Sequence, residues 1–290
     1  MKVNLLIAAA SWEDRFCLGL ERTINTASVN KVVIFYFEEY ADWTSESRAR
    51  AKAFCEREHV AVRFASLKYQ RPDDAWHNIR SVLVEEIRPG DEILVDISTM
   101  PREAIWTIFF IAEHLGASIC YNYNRPEGYS SEWLSRDPDR PRFVYKLSGV
   151  ATLGVPSILV ALTGFDVDRT RQLINFYQPA FTLLGLQIGE QYENIELNVR
   201  KHLGLEGVKF RQFKVDAYAQ DHGLGAIRRA VSPFRLNHNL IVSSLGPKPS
   251  AIALYRLCKE FPFCALAYTP ARQFNKNYSW GIDGAVSGSL

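Results

Sequence analysis

The sequence around residue 95 constrains the fold most. Residues 92–96 are largely apolar or β-branched and lie between Pro89-Gly90-Asp91 and a polar turn, which predicts a central strand of a parallel sheet. The turn runs from Asp96 to Arg102, and a helix is predicted to start near Pro101. Ser98 and Thr99 are typical N-cap residues. Exposed backbone N–H groups beside two hydroxyls and a guanidinium predict a phosphate-sized anion site.

A second copy of this arrangement lies near the C-terminus. Residues 239–252 again contain a strand, a polar turn and a helix that starts at a proline. A constant spacing of 147 residues superimposes the two copies and gives seven identities over residues 93–133. The identical pairs are Val95/Val242, Ala104/Ala251, Ile105/Ile252, Glu113/Glu260, Tyr121/Tyr268, Arg125/Arg272 and Trp133/Trp280. We therefore predict an internal duplication.

The chain length agrees with two domains. A chain of 290 residues is long for one core and sufficient for two of about 145. Residues 134–156 are rich in turn-forming residues, so the predicted boundary lies near 150, with one unit at 1–150 and another at 151–290.

Composition excludes several classes of function. The net charge of +2 comes from mixed signs, which argues against binding to duplex nucleic acid or an anionic membrane. The five cysteines form no CxxC pair and are expected to be inert, buried thiols. Without a signal peptide or a long apolar run, the cytoplasm is the expected location.

Strands and helices alternate through both halves, which predicts two doubly wound, Rossmann-like α/β units, because parallel strands need helical crossovers. The predicted strands are 3–10, 31–37, 60–66, 92–96, 117–123, 157–162, 180–186, 208–215 and 240–243. The predicted helices include 44–57, 73–87, 191–202 and 218–231.

In such sheets the ligand lies at the carboxyl edge, where the parallel strands end. The turns after the first and fourth strands of each half are expected to meet there. With the aromatic tails after the fifth strands, which could stack a base, they supply the candidate ligand-binding residues. These are Ser11, Arg15, Asp96, Ser98, Thr99, Arg102 and Arg125 in the first half, and Thr163, Asp166, Arg169, Ser244, Gly246, Lys248 and Arg272 in the second.

Catalytic chemistry is left open by the residues. Asp96 and Asp166 are candidates for acid–base groups, for turn caps or for hydrogen bonds to a ribose. The six histidines show no HxxxH or HxH spacing and have no paired cysteines, so we predict no metal site and no cofactor. The sequence contains neither a Walker A motif nor GxGxxG, which argues against an ordinary NTPase or a dinucleotide dehydrogenase.

The fourth-strand turn resembles the signature Asp-x-Thr-Gly-Gly-Thr-Lys of the CRISPR-associated Rossmann fold (CARF) domains. Asp96, Ser98 and Arg102 match it in kind, whereas residues 99–101 depart from its two glycines and its threonine. Ser244, Gly246 and Lys248 match loosely in the second half. Two such units in one chain are similar in plan to the SAVED domains of antiphage systems.

The resemblance implies a prokaryotic defence protein that senses a nucleotide or cyclic oligonucleotide, bound between its two halves, and regulates a separate effector. One alternative is a metal-independent enzyme that cleaves a nucleotide or cyclic oligonucleotide. Another is a structural subunit of a defence complex that binds no ligand.

Overall fold

A computed structural model describes residues 2–130, 132–189, 201–202, 204–205, 209–261 and 263–290. Contacts within this part of the chain form two compact units, Met1–Glu132 with Lys276–Leu290, and Trp133–Asn275. Each unit is built around a six-stranded, largely parallel sheet, as the sequence predicts.

The sheet of the first unit has the strand order β3-β2-β1-β4-β5-β16. The strands β1 to β5 are parallel, and β16 pairs with β5 in the antiparallel direction. Their bounds are β1 Lys2–Ala9, β2 Ser28–Phe37, β3 Ala61–Leu67, β4 Glu92–Asp96, β5 Ser118–Arg125 and β16 Gly284–Ser289. The helices are α1 Asp14–Thr26, α2 Ser45–Arg57, α3 Pro72–Glu86 and α4 Arg102–His114, with a short 3-10 helix at Glu38–Tyr40.

Both faces of this sheet are covered, which explains its continuous apolar strands. Leu6 and Ile34 on one face belong to a core cluster with Phe16 of α1 and Ala51 of α2. The alternate strand residues, such as Ile7, are equally buried on the other face. The unit is therefore doubly wound.

The second unit repeats the strand order as β11-β10-β9-β12-β13-β8, with β8 antiparallel to β13. Its strands are β8 Arg142–Phe143, β9 Ser157–Leu162, β10 Phe181–Gln187, β11 Phe210–Val215, β12 Asn239–Ser244 and β13 Cys264–Tyr268. The described helices are α5 Val167–Tyr177, α6 Leu224–Val231 and α7 Pro249–Glu260. The helix predicted at 191–202 lies almost entirely outside the described residues.

The predicted helix at 218–231 is too long at its start. Helix α6 begins only at Leu224, because the Asp221 carboxylate accepts hydrogen bonds from the N–H groups of Gly223 and Gly225, at 2.9 and 2.8 Å. Gly223 has a φ of 83°, which interrupts the helical path before that point.

Each sheet has an edge strand from the other side of residue 150, where the sequence predicts the boundary between the units. Arg142–Phe143 pairs with β13 in the second unit, whereas Gly284–Ser289 pairs with β5 in the first. Two short antiparallel ribbons accompany these edges: β6 Gly128–Tyr129 with β15 Ser279–Trp280 in the first unit, and β7 Ser135–Pro138 with β14 Ala271–Phe274 in the second.

Candidate functional site

The turn after β4 is held by its own carboxylate. Asp96 Oδ1 accepts hydrogen bonds from the backbone N–H of Ser98, at 2.9 Å, and from the Ser98 hydroxyl. Asn124 joins them: its N–H donates to Ser98 Oγ at 2.7 Å, and its Nδ2 donates to Asp96 Oδ2 at 3.2 Å. All three side chains are buried. Asp96 thus has the turn-capping role that the sequence left open, at the carboxyl edge between β4 and β5.

Ser98 and Thr99 are not the N-caps of the following helix. Helix α4 starts at Arg102 with Pro101 as its N-cap residue, and no side chain caps it. The Asp96 carboxylate draws Ser98 back towards β4, and the Thr99 hydroxyl donates to the Ala9 carbonyl of β1 at 2.7 Å. The hydroxyls predicted to face a ligand therefore bind the protein itself, while Arg102 stands at the helix start as predicted.

The turn after β1 contains a buried ion pair that the sequence reading did not include. Glu13 is 5% exposed and Arg15 is 2% exposed. Arg15 Nε donates to Glu13 Oε2 at 3.1 Å, and its Nη1 donates to the Asn124 carbonyl at 3.0 Å. The predicted ligand residue Arg15 is thus bound to the protein on both sides of its guanidinium.

The C-terminal segment also binds Glu13. The Tyr278 hydroxyl donates to Glu13 Oε1 at 2.6 Å, and the Ser279 hydroxyl donates to Oε2 at 2.7 Å. Ser11 completes the turn, because its hydroxyl accepts from the Glu13 N–H at 3.2 Å.

The pKa values of the two neighbours of Glu13 reflect this environment. Burial by itself lowers the pKa of Arg15, but the charge and hydrogen bond of Glu13, together with Tyr123 and Tyr278, outweigh it, and the pKa lies well above its usual value. Burial, followed by the Glu13 charge, raises the pKa of Tyr278. Arg15 is therefore a fixed cation, and Tyr278 a neutral donor.

Arg125 lies at the end of β5 and pairs with Asp283, its Nη2 donating to Oδ2 at 2.5 Å. Its guanidinium is therefore tied to the chain segment next to β16 rather than to the Asp96 turn.

In the second unit the turns after β9 and β12 meet closely. A Cβ atom on Gly164 would lie 2.0 Å from the Leu245 carbonyl oxygen, and one on Gly246 would lie 2.6 Å from that of Thr163. The Thr163 hydroxyl donates to the Gly185 carbonyl at 3.0 Å. The predicted site residue Gly246 is thus required for this backbone approach.

Helix α5 is capped as the sequence pattern allows. Asp166 is its N-cap residue and accepts from the Arg169 N–H at 3.2 Å. Its other oxygen forms an ion pair with Arg169 Nε at 3.2 Å, without the geometry of a hydrogen bond. Arg169 Nη2 also donates to Ser135 Oγ at 2.8 Å. Asp166 thus caps α5, and capping is one of the roles that the sequence left open.

The remaining predicted residues of the second unit fall into two places. Ser244 Oγ lies 2.6 Å from Ser250 Oγ in α7, and Lys248 is the N-cap residue of that helix, at the carboxyl edge. Arg272 instead lies in β14, where it is exposed and donates to Asp139 Oδ1 at 2.9 Å. Arg272 is thus paired with Asp139 in the short ribbon of β7 and β14.

Several buried polar atoms at this edge have no hydrogen-bond partner in the described part of the chain. They are Gln187 Nε2 and Oε1, Ser243 Oγ and Thr269 Oγ1. Gln187 is the last residue of β10, Ser243 lies in β12, and Thr269 follows β13. A corresponding orphan in the first unit is Asn124 Oδ1.

Sequence reasoning missed Glu13, Asn124 and Gln187. Asn124 and Gln187 lie at the ends of buried strands and Glu13 lies in the turn between β1 and α1, which is the signal that could have identified them. The pattern does not say which of these residues bind one another, because the partners are 109 to 266 residues apart for Arg15–Asn124 and Glu13–Ser279.

Two classes of site can be addressed directly for the described residues. No group of three or more His, Cys, Asp or Glu side chains there is arranged to hold a metal ion. This observation covers the described residues alone, and the absence of a metal site from the whole chain stays a prediction. None of the helices in the described ranges has the length and apolarity needed to cross a membrane.

The sequence matches no protein-family model and no curated protein. Its fold matches that of a type III CRISPR defence DNA nuclease activated by cyclic oligoadenylate, with a TM-score of 0.54 and 10% identity. The alignment covers 87% of this chain and 63% of the nuclease, so the chain spans less than two thirds of that protein.

Two other structures match at TM-scores too low to bear on the fold. Can2 from Sulfobacillus thermosulfidooxidans in complex with cyclic tetra-adenylate has a TM-score of 0.29 and 10% identity, over 41% of this chain and 31% of Can2. UDP-GlcNAc 2-epimerase from Neisseria meningitidis bound to UDP-GlcNAc has a TM-score of 0.24 and 10% identity, over 88% of this chain and 86% of the epimerase. The chain is thus similar in fold to the cyclic-oligoadenylate-activated nuclease, with the two Rossmann-like units that the CARF resemblance implies.

Proposed function

We propose that this chain senses a cyclic oligonucleotide and regulates a separate effector in a prokaryotic defence system. The observation that carries the proposal is the fold shared over 87% of the chain with a nuclease that cyclic oligoadenylate activates. A fold alone hosts many functions, so the site must supply the chemistry. We therefore take an oligoadenylate as the first ligand class to test.

The charge at the helix starts supports an anionic ligand. Arg102 is the first residue of α4, and Lys248 is the N-cap residue of α7; both follow a central strand of their sheet. The N-terminal end of a helix attracts anions, and a side chain of positive charge placed there adds charge-assisted hydrogen bonds. A phosphate of the ligand is proposed to bind at each of these positions.

The other predicted ligand residues remain part of the proposal with different roles. Ser11, Arg15, Asp96, Ser98 and Thr99 would shape the edge of the first sheet through the hydrogen bonds described above. Thr163, Asp166, Arg169, Ser244 and Gly246 would do so in the second. Arg125 and Arg272 would act further out, since each is paired with an aspartate. That the ligand lies between the two halves stays a prediction, as does the cytoplasmic location.

We also propose that the two units arose by duplication, as the spacing of 147 residues predicts. Their sheets share one strand order. The edge pairings share one register as well: Asn124 pairs with Ala285, and Ala271 pairs with Pro138. Residue 271 is 147 beyond 124, and residue 285 is 147 beyond 138, so the spacing converts one pair into the other. A register slip in either ribbon would break this relation.

The test is binding to the full chain of cyclic oligoadenylates of three to six units, with linear oligoadenylate and cyclic di-GMP as comparison compounds. A ligand at a hundred times its dissociation constant stabilises the folded state by about 2.7 kcal/mol, which gives a readable shift of the thermal midpoint. We expect a shift with a cyclic oligoadenylate that is reduced in both Arg102→Ala and Lys248→Ala.

Matched variants separate a bound phosphate from a general loss of positive charge. Lys259→Ala removes an exposed lysine at the opposite end of α7, and Arg80→Ala removes an exposed arginine from α3. Both should respond to the ligand like the unmodified protein. If all four variants lose the shift equally, the helix starts have no special role.

The fate of the ligand distinguishes the alternatives. Chromatography of the ligand after incubation should return it intact for a sensor. Cleavage products would favour the metal-independent enzyme. If no compound shifts the thermal midpoint, the result contradicts the sensor proposal and favours a structural subunit.

A further inference from the structure

The second unit contains a buried amide that its surroundings leave unused. Gln187 ends β10 and is 5% exposed, yet neither Nε2 nor Oε1 has a hydrogen-bond partner in the described part of the chain. A buried amide without partners costs free energy, whereas an apolar side chain of the same shape would not. The position therefore calls for a group that pairs with the amide.

The amide points at the start of a helix. A Cβ atom on Gly246 would lie 2.7 Å from Gln187 Nε2, so the amide occupies the space that this glycine leaves open. Gly246 belongs to the turn that leads into α7, a helix of 12 residues. The orphaned hydroxyls of Ser243 and Thr269 lie at the same carboxyl edge, on β12 and after β13.

The carboxyl edge of the first unit contains two buried carboxylates, those of Asp96 and Glu13. The spacing of 147 residues aligns Asp96 in the sequence with Ser243 of the second unit. The Asp96 carboxylate accepts hydrogen bonds from Ser98 and Asn124. Glu13 adds a second buried carboxylate to that edge, bound by Arg15. The second unit also has a paired carboxylate, Asp166 with Arg169, but the polar atoms of Gln187, Ser243 and Thr269 at its edge have no partner in the described residues.

We propose that Gln187 reads an adenine base of the ligand at the carboxyl edge of the second unit. The inference rests on the proposed function and assigns its base recognition to one residue. An amide presents a donor and an acceptor side by side, and adenine offers the reverse pair at N7 and N6–H₂. Guanine offers two acceptors at the same edge, so one of the two bonds cannot form.

The experiment measures binding of cyclic tetra-adenylate and of AMP to the full chain by calorimetry, for Gln187→Met and its parent. Methionine keeps the length and approximate volume of glutamine but cannot form either hydrogen bond. Loss of a two-bond contact to a base should weaken cyclic tetra-adenylate binding by about 5- to 150-fold. The thermal midpoint without ligand should stay level or rise, because an unpaired buried amide is removed.

Gln172→Met is the matched control. Gln172 lies in α5 of the same unit, and its Nε2 donates to the Pro138 carbonyl at 3.2 Å. This variant should bind cyclic tetra-adenylate with unchanged affinity. If Gln187→Met fails to fold, Gln187→Leu provides the second test, since it also removes both hydrogen-bonding atoms and introduces no buried charge.

Each outcome decides between the two proposals. Equal binding by Gln187→Met and its parent overturns the base-reading role and leaves the sensor intact. Binding of AMP without binding of any cyclic oligoadenylate overturns the sensor, and a loss of AMP binding in Gln187→Met then supports the base-reading role. If no adenine-containing probe binds, both are overturned.

Discussion

Replacing Glu13 by glutamine should strongly destabilise the first unit. The substitution keeps the shape of the side chain and removes its charge, so the Arg15 guanidinium, 2% exposed, stays buried without a counter-ion. It also places an amide N–H₂ or a weaker acceptor against donors from Arg15, Tyr278 and Ser279.

The magnitude follows from the burial of this pair. Removing one partner of a buried ion pair costs about 3–5 kcal/mol, because the remaining charge has lost both water and its partner. A typical domain is stable by only about 5–15 kcal/mol, so the loss is a large fraction of the total. Glu21→Gln in α1, the helix that follows Glu13, is the control. This variant breaks the ion pair between Glu21 and Arg50, whose charged atoms are 2.8 Å apart. The Arg50 side chain is 50% exposed and that of Glu21 is 26% exposed, so the loss should cost about 1 kcal/mol or less.

Urea unfolding gives the free energy, and hydrogen exchange shows where it is lost. Because Glu13 holds Tyr278 and Ser279, the protection of β16 should fall together with that of α1, while β10 of the second unit keeps its protection. Adding Arg15→Met to Glu13→Gln removes the uncompensated charge and should restore part of the loss. A cost for Glu13→Gln no greater than that for Glu21→Gln would refute the reasoning.

Three further predictions follow from the packing. Burial raises the pKa of the Cys17 and Cys55 thiols to about 11, so the unfolded state loses these protons at lower pH than the folded state does. The free energy of unfolding should therefore fall as the pH rises from about 9 to 11, and urea titrations of Cys55→Ala should show a smaller fall. Gly164→Ala should lower the thermal midpoint of the second unit, since its Cβ would lie 2.0 Å from the Leu245 carbonyl oxygen, and an unchanged midpoint would contradict this close approach. Tyr278→Phe should cost about 1.5–3 kcal/mol, because it removes a hydrogen bond to a charged group, and should speed hydrogen exchange in β16.

The site could be predicted only in part, for a physical reason visible in single residues. The pattern identified Asp166 as a possible cap in the turn after the first strand of the second half, and the structure shows its capping bond to the N–H of Arg169, three residues away. Ser98 and Thr99 are equally suitable N-cap residues, but in the structure the Ser98 hydroxyl donates to Asp96 and the Thr99 hydroxyl donates to the Ala9 carbonyl. Local bonds are encoded in local sequence, whereas competition between distant partners is decided by the folded geometry.

The sequence by itself determined the two doubly wound units, because alternating apolar strands and amphipathic helices leave few ways to bury their surfaces. It also predicted that a helix starts near Pro101, and α4 begins at the next residue, with Pro101 as its N-cap residue. Only the tertiary structure decided that Gly284–Ser289 returns to the first sheet and that Arg142–Phe143 completes the second. An edge strand needs only an open neighbour, and hydrophobic periodicity records that a residue is buried without recording what covers it.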